Sequence, residues 1–249
     1  MCHKVMKAKI LSNSEIYSMT NVFKMQIELP KDYPMPHPGQ FVNIYLNDSS
    51  RLLPRPLSVC DYETGLLTLV YAIVGEGTKI LSSYGHGDRV RLSTPLGKGY
   101  NISVPAIIIG GGLGIPPMLY LAKSLPDAQA QILLGYRSST FLKEDFPQTM
   151  QVHIATDDGS AGFKGTVLDV LKKLDIKDSQ SKIYACGPRP MLKALCDYAS
   201  EKNIAIEVSL EERMGCGYGA CVGCTCKTIK GQRKVCEDGP VFNGMEVQW

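Results

Sequence analysis

Cys216, Cys221, Cys224 and Cys226 fall within eleven residues, and Cys236 follows in "VCEDGP". Gly215, Gly217, Gly219 and Gly223 are threaded among them. Thiolates are soft ligands, and a cluster of them in a chain without a disulfide framework points to a metal or redox centre. Four residues separate Cys216 from Cys221, two separate Cys221 from Cys224, and eleven separate Cys224 from Cys236. Such lopsided spacing suits an iron–sulfide core, with three thiolates converging from one tight loop and a remote fourth closing the coordination. The glycines let the backbone wrap closely and turn its N–H groups toward sulfur. A structural zinc site is the alternative, but zinc usually draws its thiolates from two short-spaced pairs. The metal ligands expected are therefore Cys216, Cys221, Cys224 and Cys236, with Cys226 a neighbour that does not ligate. Cys2, Cys60 and Cys196 are isolated and read as small apolar residues of the core.

A second set of residues could hold phosphate. "RPLS", Arg55 to Ser58, opens a strand, and "VYAIVGEGTKIL" is a strand running into a helix at Gly77 and Thr78. Free N–H groups and the Thr78 hydroxyl at that helix start would seat a pyrophosphate. Arg55 is a planar, permanently charged partner for the same phosphates. Ser58 could hydrogen-bond the edge of a flavin ring. Each feature alone is equally an ordinary surface arginine or helix start. Together, in this order, they favour a flavin nucleotide.

A third stretch, "IIIGGGLGIPPM", reads as strand, glycine loop and helix. Gly112 and Gly114 would let backbone approach a dinucleotide phosphate, and Pro116 and Pro117 suit a first helical turn. The G-x-G-x-x-G pattern is incomplete, because Ile115 stands where its third glycine belongs, and no acidic residue ends the next strand. "YACGPRPML" is a further candidate for the nicotinamide side, or else a core cysteine before a turn. Arg137 and Ser138 raise the question of a 2′-phosphate.

The elements that must position these residues change in rhythm along the chain. Six short alternating runs up to about residue 100 imply a small antiparallel barrel, interrupted by one short helix. Apolar strands alternating with helices follow, implying a parallel sheet covered on both faces. From about residue 210 the chain is rich in glycine and cysteine and has little periodicity. The expected class is a multi-domain α+β protein. It comprises an antiparallel β-barrel over 1–102, an α/β parallel-sheet nucleotide domain over 103–209, and a small C-terminal 2Fe-2S domain over 210–249.

The sequence "RPLS", a following strand and Gly-Thr resemble the flavin half of the ferredoxin-reductase superfamily. That resemblance implies FAD contacts at Arg55, Pro56, Leu57, Ser58, Val70, Tyr71, Ala72, Gly77 and Thr78. It also accounts for the incomplete glycine pattern, since the superfamily uses a Gly-Gly-x-Gly-x-x-Pro loop, and for "ACGP" at a strand end. With "EERMGCGYGACVGCTCK" added, the whole chain closely resembles the electron transfer subunits of type B dihydroorotate dehydrogenases. The resemblance implies FAD, a 2Fe-2S cluster on Cys216, Cys221, Cys224 and Cys236, and NAD as substrate. It also implies an FMN-bearing (β/α)8 catalytic partner in a complex of two plus two subunits, serving pyrimidine biosynthesis. NADH is expected over NADPH, again by resemblance. A related subunit of an NAD(P)H:ferredoxin oxidoreductase or a cytoplasmic hydrogenase is the nearest alternative, and a zinc-binding adaptor a more distant one.

A net charge of +3 over 249 residues offers no concentrated basic face for nucleic acid. The most apolar run, 105–122, is broken by glycines and prolines, so a cytoplasmic protein is expected. No paired carboxylates or activated nucleophile argue for hydrolysis.

Overall fold

The computed structural model describes residues 4–16, 21–48, 52–174 and 181–249; Cys2 lies outside them. The chain begins with β1 (Val5–Glu15), β2 (Val22–Glu28), β3 (Phe41–Tyr45), β4 (Arg55–Glu63), β5 (Leu66–Ala72), α1 (Glu76–Ser82) and β6 (Arg89–Ser93). These strands are antiparallel and close into a barrel in the order β1-β2-β5-β4-β3-β6. Period-two alternation drives the closure. Ala8 and Ile10, Met25 and Ile27, Val42 and Ile44, Leu67 and Leu69, and Val90 and Leu92 all turn into one barrel core.

Next come β7 (Ala106–Gly111), α2 (Ile115–Lys123), β8 (Ala130–Tyr136), β9 (Gln151–Thr156) and β10 (Phe163–Lys164). They are followed by α3 (Val167–Lys173), β11 (Lys182–Cys186), α4 (Arg189–Lys202) and β12 (Ala205–Ser209). The last elements are β13 (Thr225–Thr228), β14 (Gly231–Lys234), α5 (Val235–Asp238) and β15 (Val241–Asn243). A seven-stranded sheet runs β10-β9-β8-β7-β11-β12-β15, parallel except for β15. On β7, Ile108 faces α2 while Ile107 and Ile109 face α3 and α4. Each such isoleucine contributes about 1.5–3 kcal/mol when fully buried. The α2 helix sits between sheet and barrel. Its Tyr120 hydroxyl donates to the Pro36 carbonyl at 2.7 Å, and Lys123 pairs with Asp61.

β8 runs to β9 without an α-helix, through a link that carries a 3-10 turn at Lys143–Asp145. Two details go beyond the sequence reading. In the polar stretch 156–165, Phe163–Lys164 form the edge strand β10, paired to β9. The aperiodic tail contains the hairpin β13–β14, and β15, which pairs antiparallel with β12 and so extends the nucleotide sheet. Three residues are too few to show alternation, so β15 is specified by its neighbour rather than by its own pattern.

Candidate functional site

The residues expected to seat a phosphate meet where β4 approaches α1. A Cβ on Gly77 would lie 1.9 Å from Arg55 Nε and 2.4 Å from its Cζ, so the guanidinium rests directly on the first turn of α1. Only glycine admits that approach. Thr78 behaves differently from expectation. Its hydroxyl donates to the Gly75 carbonyl at 3.0 Å and accepts from the Val74 N–H at 3.0 Å. The hydroxyl therefore caps the loop, and Thr78 offers a ligand its first-turn N–H, which no intrahelical carbonyl takes.

Along β4, Leu57 packs on the barrel core while Ser58 is exposed. On β5, Val70 and Ala72 belong to the core between barrel and sheet. Tyr71 turns the opposite way. Its ring stacks on Phe23 at 5.8 Å and its hydroxyl donates to Asn13 Oδ1 at 2.9 Å. Tyr71 can thus meet a ligand through backbone only. The β4–β5 pairing stops at Val59 and Leu69, which leaves that edge of Val70–Ala72 without a β4 partner.

The glycine loop lies at the sheet's switch in strand order, where β8 and β11 flank β7 on opposite sides. Open α/β sheets bind ligands there. Gly112 adopts φ 54°, and nothing lies within 4 Å of a Cβ built on it, so its backbone is open to a ligand. Gly114 serves packing: its Cβ would stand 2.2 Å from the Cys186 carbonyl oxygen. The "ACGP" segment and the glycine loop thereby converge at the ends of β11 and β7, whose Cys186 and Gly110 are in register. Burial pushes the Cys186 thiol up to about 12, outweighing its hydrogen bond to Ser209, so it stays protonated.

The four predicted ligands come together in two pairs. The side chains of Cys216 and Cys221 hydrogen-bond each other, and the Cys221 N–H donates to Cys216 Sγ at 3.4 Å. The sulfurs of Cys224 and Cys236 lie 3.2 Å apart. Gly219 N–H donates to Cys236 Sγ at 3.2 Å, and Cys236 N–H to Cys224 Sγ at 3.4 Å. Gly217 and Gly219, at φ 78° and 86°, supply the left-handed turns that aim this backbone inward.

Burial raises the Cys216 thiol, but N–H donors from Tyr218, Cys221 and Ala220 more than offset it and bring the value down to about 7. Cys236 is pushed up to about 12 by burial and by the adjacent Cys224 sulfur. Cys226 lies buried on β13 opposite Arg233, with its thiol held above the ordinary range by burial. Among the described residues, no three Cys, His, Asp or Glu side chains gather closely enough to hold a single metal ion. Two sulfur pairs, each receiving backbone N–H bonds, suit a two-iron core with two thiolates per iron. Sequence reasoning missed Asn43, whose amide reaches the Cys216 carbonyl at 2.9 Å. Nothing in "FVNIYL" marks it, because its partner is 173 residues away.

Residues 211–248 match the family model described as the iron-sulfur cluster binding domain of dihydroorotate dehydrogenase B. The dihydroorotate dehydrogenase B (NAD(+)) electron transfer subunit of Caldanaerobacter subterraneus subsp. tengcongensis is 41% identical, covering 97% of this chain and 98% of that one. Its counterpart in Fusobacterium nucleatum subsp. nucleatum is 40% identical over 85% of this chain and 86% of its own. Among solved structures, an NADH-dependent reduced ferredoxin-NADP oxidoreductase superposes with TM-score 0.86 at 31% identity, covering 97% of this chain and 90% of that one. A ferredoxin NADP+ reductase of Neisseria gonorrhoeae shares the fold, with TM-score 0.66 at 15% identity over 83% and 99% of the two chains. With identity near two-fifths sustained along almost its full length, this chain belongs to the family of dihydroorotate dehydrogenase B (NAD(+)) electron transfer subunits.

Proposed function

We propose that this chain carries electrons between NAD and an FMN-bearing dihydroorotate dehydrogenase subunit, in the cytoplasm and in a complex of two plus two subunits. The observation that carries the reading is the double pairing of Cys216 with Cys221 and Cys224 with Cys236, set against the barrel whose β4–α1 junction lays the Arg55 guanidinium on Gly77. Bound FAD would take one hydride, two electrons together, from NADH and release them singly to a 2Fe-2S cluster, and the same path could run in reverse. Everything else falls to the protein. Arg55 and the α1 N-terminus hold the flavin's phosphates, Ser58 faces its ring, and the Gly112 loop receives the nicotinamide nucleotide. The cysteine loop buries Cys224 and Cys236, half-buries Cys216 and Cys221, and supplies backbone N–H bonds to their sulfurs. No side chain is needed as acid or base.

The test is anaerobic purification from the native cell. A brown-yellow protein with one FAD, iron and acid-labile sulfide, co-eluting with an FMN-containing barrel, is expected. A colourless zinc protein ends the reading. The superposition with a ferredoxin-NADP oxidoreductase favours a second reading, service in a ferredoxin-linked complex. Co-elution with a ferredoxin-binding or hydrogenase subunit would select it.

A further inference from the structure

We propose that Asn43 is the positioning residue that fixes the cysteine loop against the flavin strand. The inference rests on the reading of Cys216 as a cluster ligand and of β4 as the flavin strand. Asn43 lies in the middle of β3 and is fully buried. Its neighbours Val42 and Ile44 turn into the barrel, so Asn43 and Phe41 turn outward, where Phe41 packs in the same core as Cys224, Val235 and Cys236. On the adjoining strand, Asn43 is in register with Pro56 and Phe41 with Ser58. One strand therefore separates the residues assigned to the flavin from the loop assigned to the cluster, and Asn43 is the polar link across it.

The link is specific. Asn43 Nδ2 donates to the Cys216 carbonyl at 2.9 Å. A Cβ on Gly217 would fall 2.4 Å from that nitrogen and 2.7 Å from Oδ1, so the loop backbone lies flat on the amide. The Asn43 backbone N–H is itself tied to Ser93 Oγ at 2.9 Å, which anchors β3 to the barrel wall. The amide orientation is dictated, because a carbonyl can only accept and so must face Nδ2. Oδ1 is then left buried with no partner among the described residues. An amide with an orphaned oxygen costs free energy that an apolar side chain of similar size would not. Packing alone gives no reason for it. Fixing the ligand loop in distance and orientation does.

The experiment compares wild-type full chain, in complex with its partner, with Asn43→Leu. Wild-type iron and sulfide are assayed first; their absence would sink the cluster reading itself, separately from this proposal. In the variant, FAD content and the rate of FAD reduction by NADH should match wild type. The EPR signature and midpoint potential of the reduced cluster should shift. Flavin-to-cluster transfer should slow by roughly tenfold or more, as when groups that orient metal ligands are removed. Loss of iron with FAD retained also supports the proposal. A fully loaded variant with wild-type EPR, potential and transfer rate overturns it. If Asn43→Leu loses FAD and iron together, Asn43→Ala, which removes the amide without adding bulk, is read in the same assays. Joint loss from both variants overturns the proposal too, because Asn43 would then serve general stability.

Discussion

The nucleotide half and the cysteine tail solve the same problem, binding a redox group, by opposite means. In the barrel and sheet, regular elements end at chosen places and present backbone: the first turn of α1 under Arg55, and the open Gly112 beyond β7. The side chains there mainly pack. In the tail, residues 210–224 form no helix or strand, and the expected binding groups are cysteine side chains on a backbone turned by left-handed glycines. The first strategy needs an extensive apolar core and survives without its ligand. The second gains order from the metal, because a thiolate site is rarely preformed in an unordered loop. The two regions should therefore fail separately.

The sharpest separation comes from Cys221→Ser. It should abolish the cluster and onward transfer while leaving NADH reduction of FAD intact, as read by EPR, visible absorbance and reduction of the partner. Full onward transfer in that variant would break the linear order. The converse variant is Gly77→Ala. Its new methyl group displaces the Arg55 guanidinium, and losing one or two charge-assisted hydrogen bonds should weaken FAD by about ten- to a hundredfold. Helix propensity improves at the same time, so the apo-protein should melt no lower. Loss of iron alongside FAD would show that the regions are coupled.

Gly114→Ala acts within the nucleotide half. Its methyl group meets the Cys186 carbonyl, which is backbone and cannot step aside freely. The cost should be about 1–3 kcal/mol of stability, with a raised KM for NADH and an unaltered EPR signal. The smallest effect is expected from Cys226→Ser. Its buried hydroxyl should cost about 1–2 kcal/mol in denaturant melts. The cluster spectrum should stay in place, and its disappearance would make Cys226 a ligand.

The two regions also differed in how far they could be read in advance. The barrel strands and the strand–helix order follow from apolar periods that a linear sequence displays directly. The four cysteines stand out because their spacing matches a two-iron pattern that a linear sequence displays directly. What escaped depends on tertiary neighbours. Val241–Asn243 becomes a strand because β12 offers an edge. The Thr78 hydroxyl looks available until the Val74–Gly75 turn claims it. The Tyr71 side chain looks available to a ligand until strand parity turns it into the barrel and leaves its backbone as the part that could meet one. Gly114 has a packing reason the linear sequence does not display, because a Cβ there would meet the Cys186 carbonyl.

The pairing of Ser209 with Val241 has a consequence for biogenesis. The stretch between them, with five thiols that include the four expected ligands, is a detour that leaves the sheet and returns beside its own departure point. A chain made from its N-terminus exposes those sulfurs before the strand that closes the detour exists. The loop that carries the expected ligands is therefore closed at both ends only once the final residues have docked on β12.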